Sequence, residues 1–227
     1  MLNRIFILCC GPSIKYQNLQ CLSGEYCISV SNFFVHDLIN EIEPKEHIFA
    51  PIHSPITDEM AIQWHSEANT CLPSSTKMLI SQHDIHYWKN IPHSRELEAY
   101  NPNAITYQSV SQIALNRALS KNPSEIYLLG CDHNWIRHVG QTKHFYDESQ
   151  SVISCMGYDE WFGQEKNEAR QRELQCNNNL FNLYEQYKNI ATTQNTSIYN
   201  ATPGSRLKVF EDKTLFEIFE EPHMENV

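Results

Sequence analysis

The sequence predicts an α/β fold built on a mostly parallel sheet, with helices on both faces and a long segment inserted after one strand. Three observations predict it. Short apolar runs of strand length recur along the chain. Helical patterns fall between several of them, as crossovers between parallel strands require. The runs Ile5–Cys10 and Ile126–Leu129 are continuously apolar rather than alternating, as strands buried on both faces must be.

The elements follow in order. Arg4–Cys10 is the first strand, broken by Gly11-Pro12-Ser13. Glu25–Ser31 is the second, His47–Ile52 the third and Lys77–Ser81 the fourth, with Pro51 weakening the third. Ile105-Thr106-Tyr107 is expected as a short fifth strand leading into a helix over 109–120. Asn122-Pro123-Ser124 ends that helix. Glu125–Gly130 is the clearest strand, with Asp132 just past its end. From His133 to Gly163 the chain is polar, aromatic and aperiodic, as an active-site lid would be. The insertion is expected over 133–175, within one domain spanning 1–227. A long helix is expected over 165–190, with Leu174, Leu180, Leu183, Tyr184 and Tyr187 on one face. Ser197–Ala201 is the last strand, ending in Thr202-Pro203-Gly204-Ser205.

Composition excludes several classes. With 227 residues and 41% apolar content the chain can bury a core. A formal charge of −10 and no Lys/Arg run argue against a nucleic-acid partner. None of the 8 cysteines forms a C-x-x-C pair, so Cys9, Cys10, Cys27 and Cys131 are expected as buried free thiols, which suits a cytoplasmic protein. No signal peptide or membrane-length apolar stretch is present in the sequence.

Strand ends carry the chemistry. Gly11-Pro12-Ser13, Ser31-Asn32, Ser109, Asp132-His133-Asn134 and Thr202-Pro203-Gly204-Ser205 would converge on the carboxyl rim of such a sheet, where α/β folds bind ligands. Gly11 would let backbone approach a ligand. Ser13 would present a hydroxyl, with nearby amides facing a phosphate. Walker, G-x-G-x-x-G and G-x-S-x-G patterns are absent. His133, His138 and His144 have no metal-ligand spacing, and no metal site is expected.

Several segments together resemble a known group with a Rossmann-like fold. I-F-I-L-C-C-G-P-S at Ile5–Ser13, Ser31-Asn32-Phe33-Phe34, E-I-Y-L-L-G-C-D at Glu125–Asp132 and the stretch Ile198–Phe210 are similar, in order and spacing, to elements of bacterial CMP-sialic-acid-dependent sialyltransferases. The opening Ile5–Ser13 also resembles that of related flagellin-modification accessory factors and 6-hydroxymethylpterin diphosphokinase-like proteins. The resemblance implies a glycosyltransferase of bacterial surface-glycan synthesis using a nucleotide sugar, CMP-linked, with no further cofactor. It implies a nucleotide held by Cys10, Gly11, Pro12, Ser13, Asn32, Ser109, Asn134, Thr202, Gly204 and Ser205. Tyr146 would steady the departing phosphate, with His144 and Asp132 as further catalytic candidates. Three positions depart from the pattern: Cys10 replaces the loop asparagine, Asn134 lies nearest the first lid tyrosine, and Leu174 aligns with the catalytic histidine. His144 or Glu173 would then serve as base. A glycan or lipid-linked acceptor, peripheral contact with the inner membrane and a homo-oligomer are the implied partners. Two alternatives stand beside this reading: a transferase using ATP and Mg²⁺, and a non-catalytic nucleotide- or glycan-binding module.

Overall fold

The computed structural model describes residues 2–53, 56–133, 144–146 and 166–220. Eight strands form one sheet in the order β5-β4-β3-β2-β1-β6-β7-β8, and every pairing is parallel. The strands are β1 (Arg4–Leu8), β2 (Cys27–Val30), β3 (Glu46–Ile48), β4 (Lys77–Ser81), β5 (Leu97–Tyr100), β6 (Glu125–Leu129), β7 (Ser197–Asn200) and β8 (Glu211–Asp212). The helices are α1 (Ile39–Ile42), α2 (Asp58–Cys71), α3 (Val110–Leu119), α4 (Lys166–Thr193) and α5 (Leu215–Glu220).

The chain first builds outward from β1 to β5. It then crosses back through α3 and continues from β6 on the other side of β1. The strand order therefore reverses between β1 and β6, which makes their carboxyl ends the switch point of a doubly wound sheet. The two strands pair over their whole length, from Arg4 opposite Glu125 to Leu8 opposite Leu129.

Alternation along β1 explains why its sequence is apolar throughout. Phe6 and Leu8 point into one core with Trp64 and Ala68 of α2 and Ile218 of α5. Ile5 and Ile7 point into the other, with Ile113, Ala114 and Ala118 of α3 and Leu180, Tyr184 and Tyr187 of α4. Each such buried side chain contributes about 1.5–3 kcal/mol of transfer free energy. Cys9, Cys10, Cys27 and Cys131 are buried free thiols, as the sequence predicted.

Several elements differ from expectation. The fifth strand is Leu97–Tyr100, whereas 105–107 is irregular chain with Ile105 and Tyr107 packed on a core. β5 is a sheet edge and only half-buried, so it needs no apolar run; Arg117 and Lys77 hold its Glu98 from α3 and β4. β3 is shorter than expected and ends before Pro51. α2 buries Ala61, Trp64, His65 and Ala68, a helical stripe that is half aromatic-polar and therefore weak as a sequence signal. On α4, Leu174 is 46% exposed rather than on the buried face, which among the described side chains begins at Leu180. Residues 166–175, expected within the insertion, form the first turns of α4.

Candidate functional site

The carboxyl ends of β1 and β6 are locked together. Leu129 O accepts from Cys9 N and Gly130 O from Gly11 N, both at 2.9 Å, which extends the ladder past the strands. Ser13 then donates twice to the buried Asp132 carboxylate: its amide to Oδ1 at 3.2 Å and its hydroxyl to Oδ2 at 2.7 Å. Gly11 has an ordinary φ of −64°, so its role is room rather than freedom. A Cβ there would collide with the Asp132 carboxylate and lie 2.5 Å from Gly130 O. Gly130 needs both: its φ is +67°, and a Cβ would meet Cys9 O at 2.5 Å.

The polar groups of the loop have partners within the chain. Gly11 allows a close approach, but to its own chain. The Ser13 hydroxyl is buried and spent on Asp132. The Gly11 and Ser13 amides are donated internally, Ile14 N bonds Gly11 O, and Pro12 has none. Gly11, Pro12, Ser13 and Asp132 therefore form the floor of the rim.

One wall lies on the α2 side. Cys10 points its thiol at Val30 O (3.3 Å), while its carbonyl accepts from Phe145 N at 3.0 Å. Burial pushes the Cys10 thiol up, so it stays protonated. Phe145 packs on Phe33 and His36, with centroids 5.6 and 5.2 Å apart. Residues 144–146 of the insertion are thus seated on the end of β1. His144 and Tyr146 stack at 4.9 Å, both half-buried. Asn32 is buried beside them and accepts from Trp64 Nε1 through Oδ1 at 2.5 Å.

The other wall lies on the α3/α4 side, where His133 and Ser109, both expected at the rim, are joined through Ser111 and Tyr184, which the sequence did not single out for a site. Half-buried His133 hydrogen-bonds the Tyr184 hydroxyl through Nε2 at 2.9 Å. Tyr184, fully buried, meets Ser111 Oγ at 2.6 Å, and Ser111 meets Ser109 Oγ at 2.5 Å. The chain of hydroxyls joins β6, α4 and the start of α3. Gln112 Oε1 fixes the entry to α3 by accepting from the amides of Gln108 and Ser109. Burial holds the Tyr184 phenol well above its usual range, so it remains a neutral hydrogen-bonding group. Only the helical periodicity of α4 could have brought Tyr184 to attention, and that periodicity equally fits a core residue.

Backbone strain marks the same rim. Ser31 (φ +50°) follows β2 and His133 (φ +47°) follows β6. The other non-glycine residues with positive φ among those described, Glu43, Asn122 and Asn195, stand just past helices, where left-handed residues are common. Backbone strain of this kind clusters at active sites and ligand clamps.

The remaining expected residues are placed as follows. Thr202 is buried, accepting from Cys131 N (3.0 Å) and donating to Leu128 O (3.1 Å). Ser205 is buried and donates to Cys131 O at 2.6 Å. Both anchor β7 to the end of β6 rather than facing the rim. Gly204 (φ +70°) is the third residue of the Thr202–Ser205 turn with Pro203 second, a type II pattern whose two central residues are exposed. Ser109 is half-buried at the start of α3. Asn134 and His138 lie outside the described residues, as does the side chain of Glu173, whose backbone is in α4.

A cleft of about 590 Å³ opens at the opposite, amino edge, lined by Arg4, Glu25, Tyr26, Lys45, Glu125 and Lys213 among others. Arg4 and Glu25 are paired bidentately there, at 2.5 and 3.0 Å, and Glu125 accepts from Tyr127. Ligands of doubly wound sheets sit at the other edge. Strain and seated residues 144–146 mark that other edge here, so the site is assigned to it despite the amino-edge cleft. Among the described residues no group of three metal-ligating side chains converges, and no helix is long and apolar enough to cross a membrane.

No family model matches the chain, and neither a curated protein nor a solved structure does.

Proposed function

We propose that the protein is a glycosyltransferase that takes a nucleotide sugar, CMP-linked, at the carboxyl ends of β1 and β6. The observation that carries the reading is the seating of residues 144–146 on Cys10 O, directly beside the Gly11–Ser13–Asp132 lock at the switch point. The lock gives a rigid floor, which positioning of two reactants requires. His144 and Tyr146 bring an imidazole and a phenol to one wall, where they can donate to a leaving phosphate. His133 is oriented on the other wall by Tyr184 and Ser111. An imidazole oriented by a hydroxyl partner has the arrangement of a general base for an acceptor hydroxyl. His133 therefore replaces Glu173 beside His144 as the base candidate. The acceptor is a glycan or lipid-linked glycan of the cell surface.

Incubating the protein with CMP-linked sugars and measuring released CMP tests the reading. CMP release above the uncatalysed rate is expected, falling on the order of 10²-fold or more in His133→Ala. A Tyr146→Phe variant should lower turnover more than nucleotide binding. Turnover only with ATP and Mg²⁺ would replace the reading by a phosphoryl or diphosphoryl transferase. Binding without turnover for any donor would leave a non-catalytic module.

A further inference from the structure

We infer that Cys9 and Cys131 form a peroxide-sensitive dithiol that closes to a disulfide beneath the β1–β6 lock. The two sulfurs are 3.3 Å apart, Cys131 donating to Cys9, on chain segments that directly continue β1 and β6. A disulfide spans about 2.05 Å, so closure needs a shift of roughly 1.3 Å rather than a rearrangement of the fold. Cys10, next in sequence, faces the opposite side of the sheet toward Val30 and is not part of the pair.

Chemistry distinguishes the two thiols. The hydrogen bond to Cys9, and then burial, hold the Cys131 thiol well above its usual range, while the neighbouring His133 imidazole acts in the opposite direction. His133 is half-buried, whereas both cysteines are buried. It can accept the Cys131 proton and pass it outward. Once local opening of the 130–133 turn rehydrates Cys131 and relieves the burial that keeps it protonated, its thiolate attacks one oxygen of hydrogen peroxide, breaking the O–O bond and leaving a sulfenic acid and, after protonation, water. Cys9 sulfur attacks the sulfenic sulfur, the S–O bond breaks and a second water leaves with the Cys9 proton. In sum, two thiols and one peroxide give one disulfide and two waters. Entry of a water-sized oxidant needs only local opening of the 130–133 turn, which holds two positive-φ residues.

The bond would act on the lock directly. Thr202 holds Cys131 N and Ser205 holds Cys131 O. Pulling Cys131 toward β1 therefore displaces Asp132, on which Ser13 depends.

The test uses the full reduced chain, treated with hydrogen peroxide, alkylated, digested without reductant and mapped by mass spectrometry. The expected product is a peptide pair joined between Cys9 and Cys131, lighter by two hydrogens, with fragmentation separating Cys9 from Cys10. Dithiothreitol should reverse it. The link should persist in Cys10→Ala and vanish in both Cys9→Ala and Cys131→Ala, whose folding is checked by circular dichroism. Because the native chain carries the primary readout, a misfolded variant does not decide the matter. Oxidation that leaves Cys9 and Cys131 unlinked, or that links either to another cysteine first, would overturn the inference. The outcome does not depend on which nucleotide, if any, the protein binds.

Discussion

At the amino edge of the sheet, charged groups satisfy one another. Arg117 bridges Glu46 and Glu98, Lys121 also reaches Glu46, Lys77 joins Glu96 and Glu98, and Arg4 pairs with Glu25. Burial alone would raise the Glu46 carboxyl. Hydrogen bonds and charge from Arg117 and Lys121 outweigh it and hold Glu46 below its usual range. Toward the carboxyl edge, polar groups are left with less. Ser31 and His133 hold strained backbone. Nearby, the aromatic cluster of Phe49, Trp64 and Trp88 contains His47 Nε2, both ring nitrogens of His65 and Trp88 Nε1, none with a hydrogen-bond partner. One edge is built for stability and the other gives up stability, a contrast expected where a fold carries its function. The cleft of about 590 Å³ lies at the satisfied edge.

Acid should break the contrast most strongly. Burial lowers His47 to about 3 and His65 to about 4 from the ordinary 6.5. Folded values below unfolded ones mean the unfolded chain binds protons first as pH falls. The contribution is therefore complete above pH 6.5 and is lost progressively below it, down to the folded values. Each imidazole removes about 2 kcal/mol by pH 5. Urea unfolding at pH 7 and pH 5 measures the loss, and His65→Leu should roughly halve it, leaving the His47 share. Glu46, held low, stays ionised over this range, so hydrogen exchange should rise in α2 and β3 before the Arg117 network opens.

Arg117→Met probes the satisfied edge. It strips the nearly buried Glu46 of its main partner and should cost about 3 kcal/mol. Nucleotide-induced stabilisation should survive. Gly11→Ala probes the other edge. Its methyl must displace Asp132 or Gly130, which should cost about 2 kcal/mol and abolish nucleotide-induced stabilisation. Gly24 offers the matched control at the amino edge. It has φ +84° and nothing near its absent Cβ, so Gly24→Ala should cost only about 1 kcal/mol, with nucleotide response intact. Thermal melts of the three variants with and without nucleotide separate these outcomes.

Much of the fold was legible because β1, β4 and β6 are buried on both faces and must be apolar. Edge strands carry no such demand, which is why Leu-Glu-Ala-Tyr at 97–100 gave no signal and Ile105–Tyr107 gave a misleading one. At the site, Gly11, Ser13 and Asp132 were legible as a group by their places after strands. Their partner was not: nothing in the sequence tells a serine that faces a ligand from one that donates to an aspartate 119 positions away. His133 was legible by its place after β6, but its link to Tyr184 and Ser111 was not, because a hydrogen-bond chain across three elements leaves no local pattern.

The most direct measurement is the melting temperature of the native chain against CMP, CDP, UMP, UDP, GDP and ATP, each with and without Mg²⁺. A ligand at a hundredfold its Kd adds about 2.7 kcal/mol, or several degrees for a domain of this size. A rise with CMP or CDP that is independent of Mg²⁺, and lost in Gly11→Ala, is the predicted result. No rise with any nucleotide, or a rise confined to ATP with Mg²⁺, would contradict the assignment of a cytidine-nucleotide sugar to the β1–β6 edge.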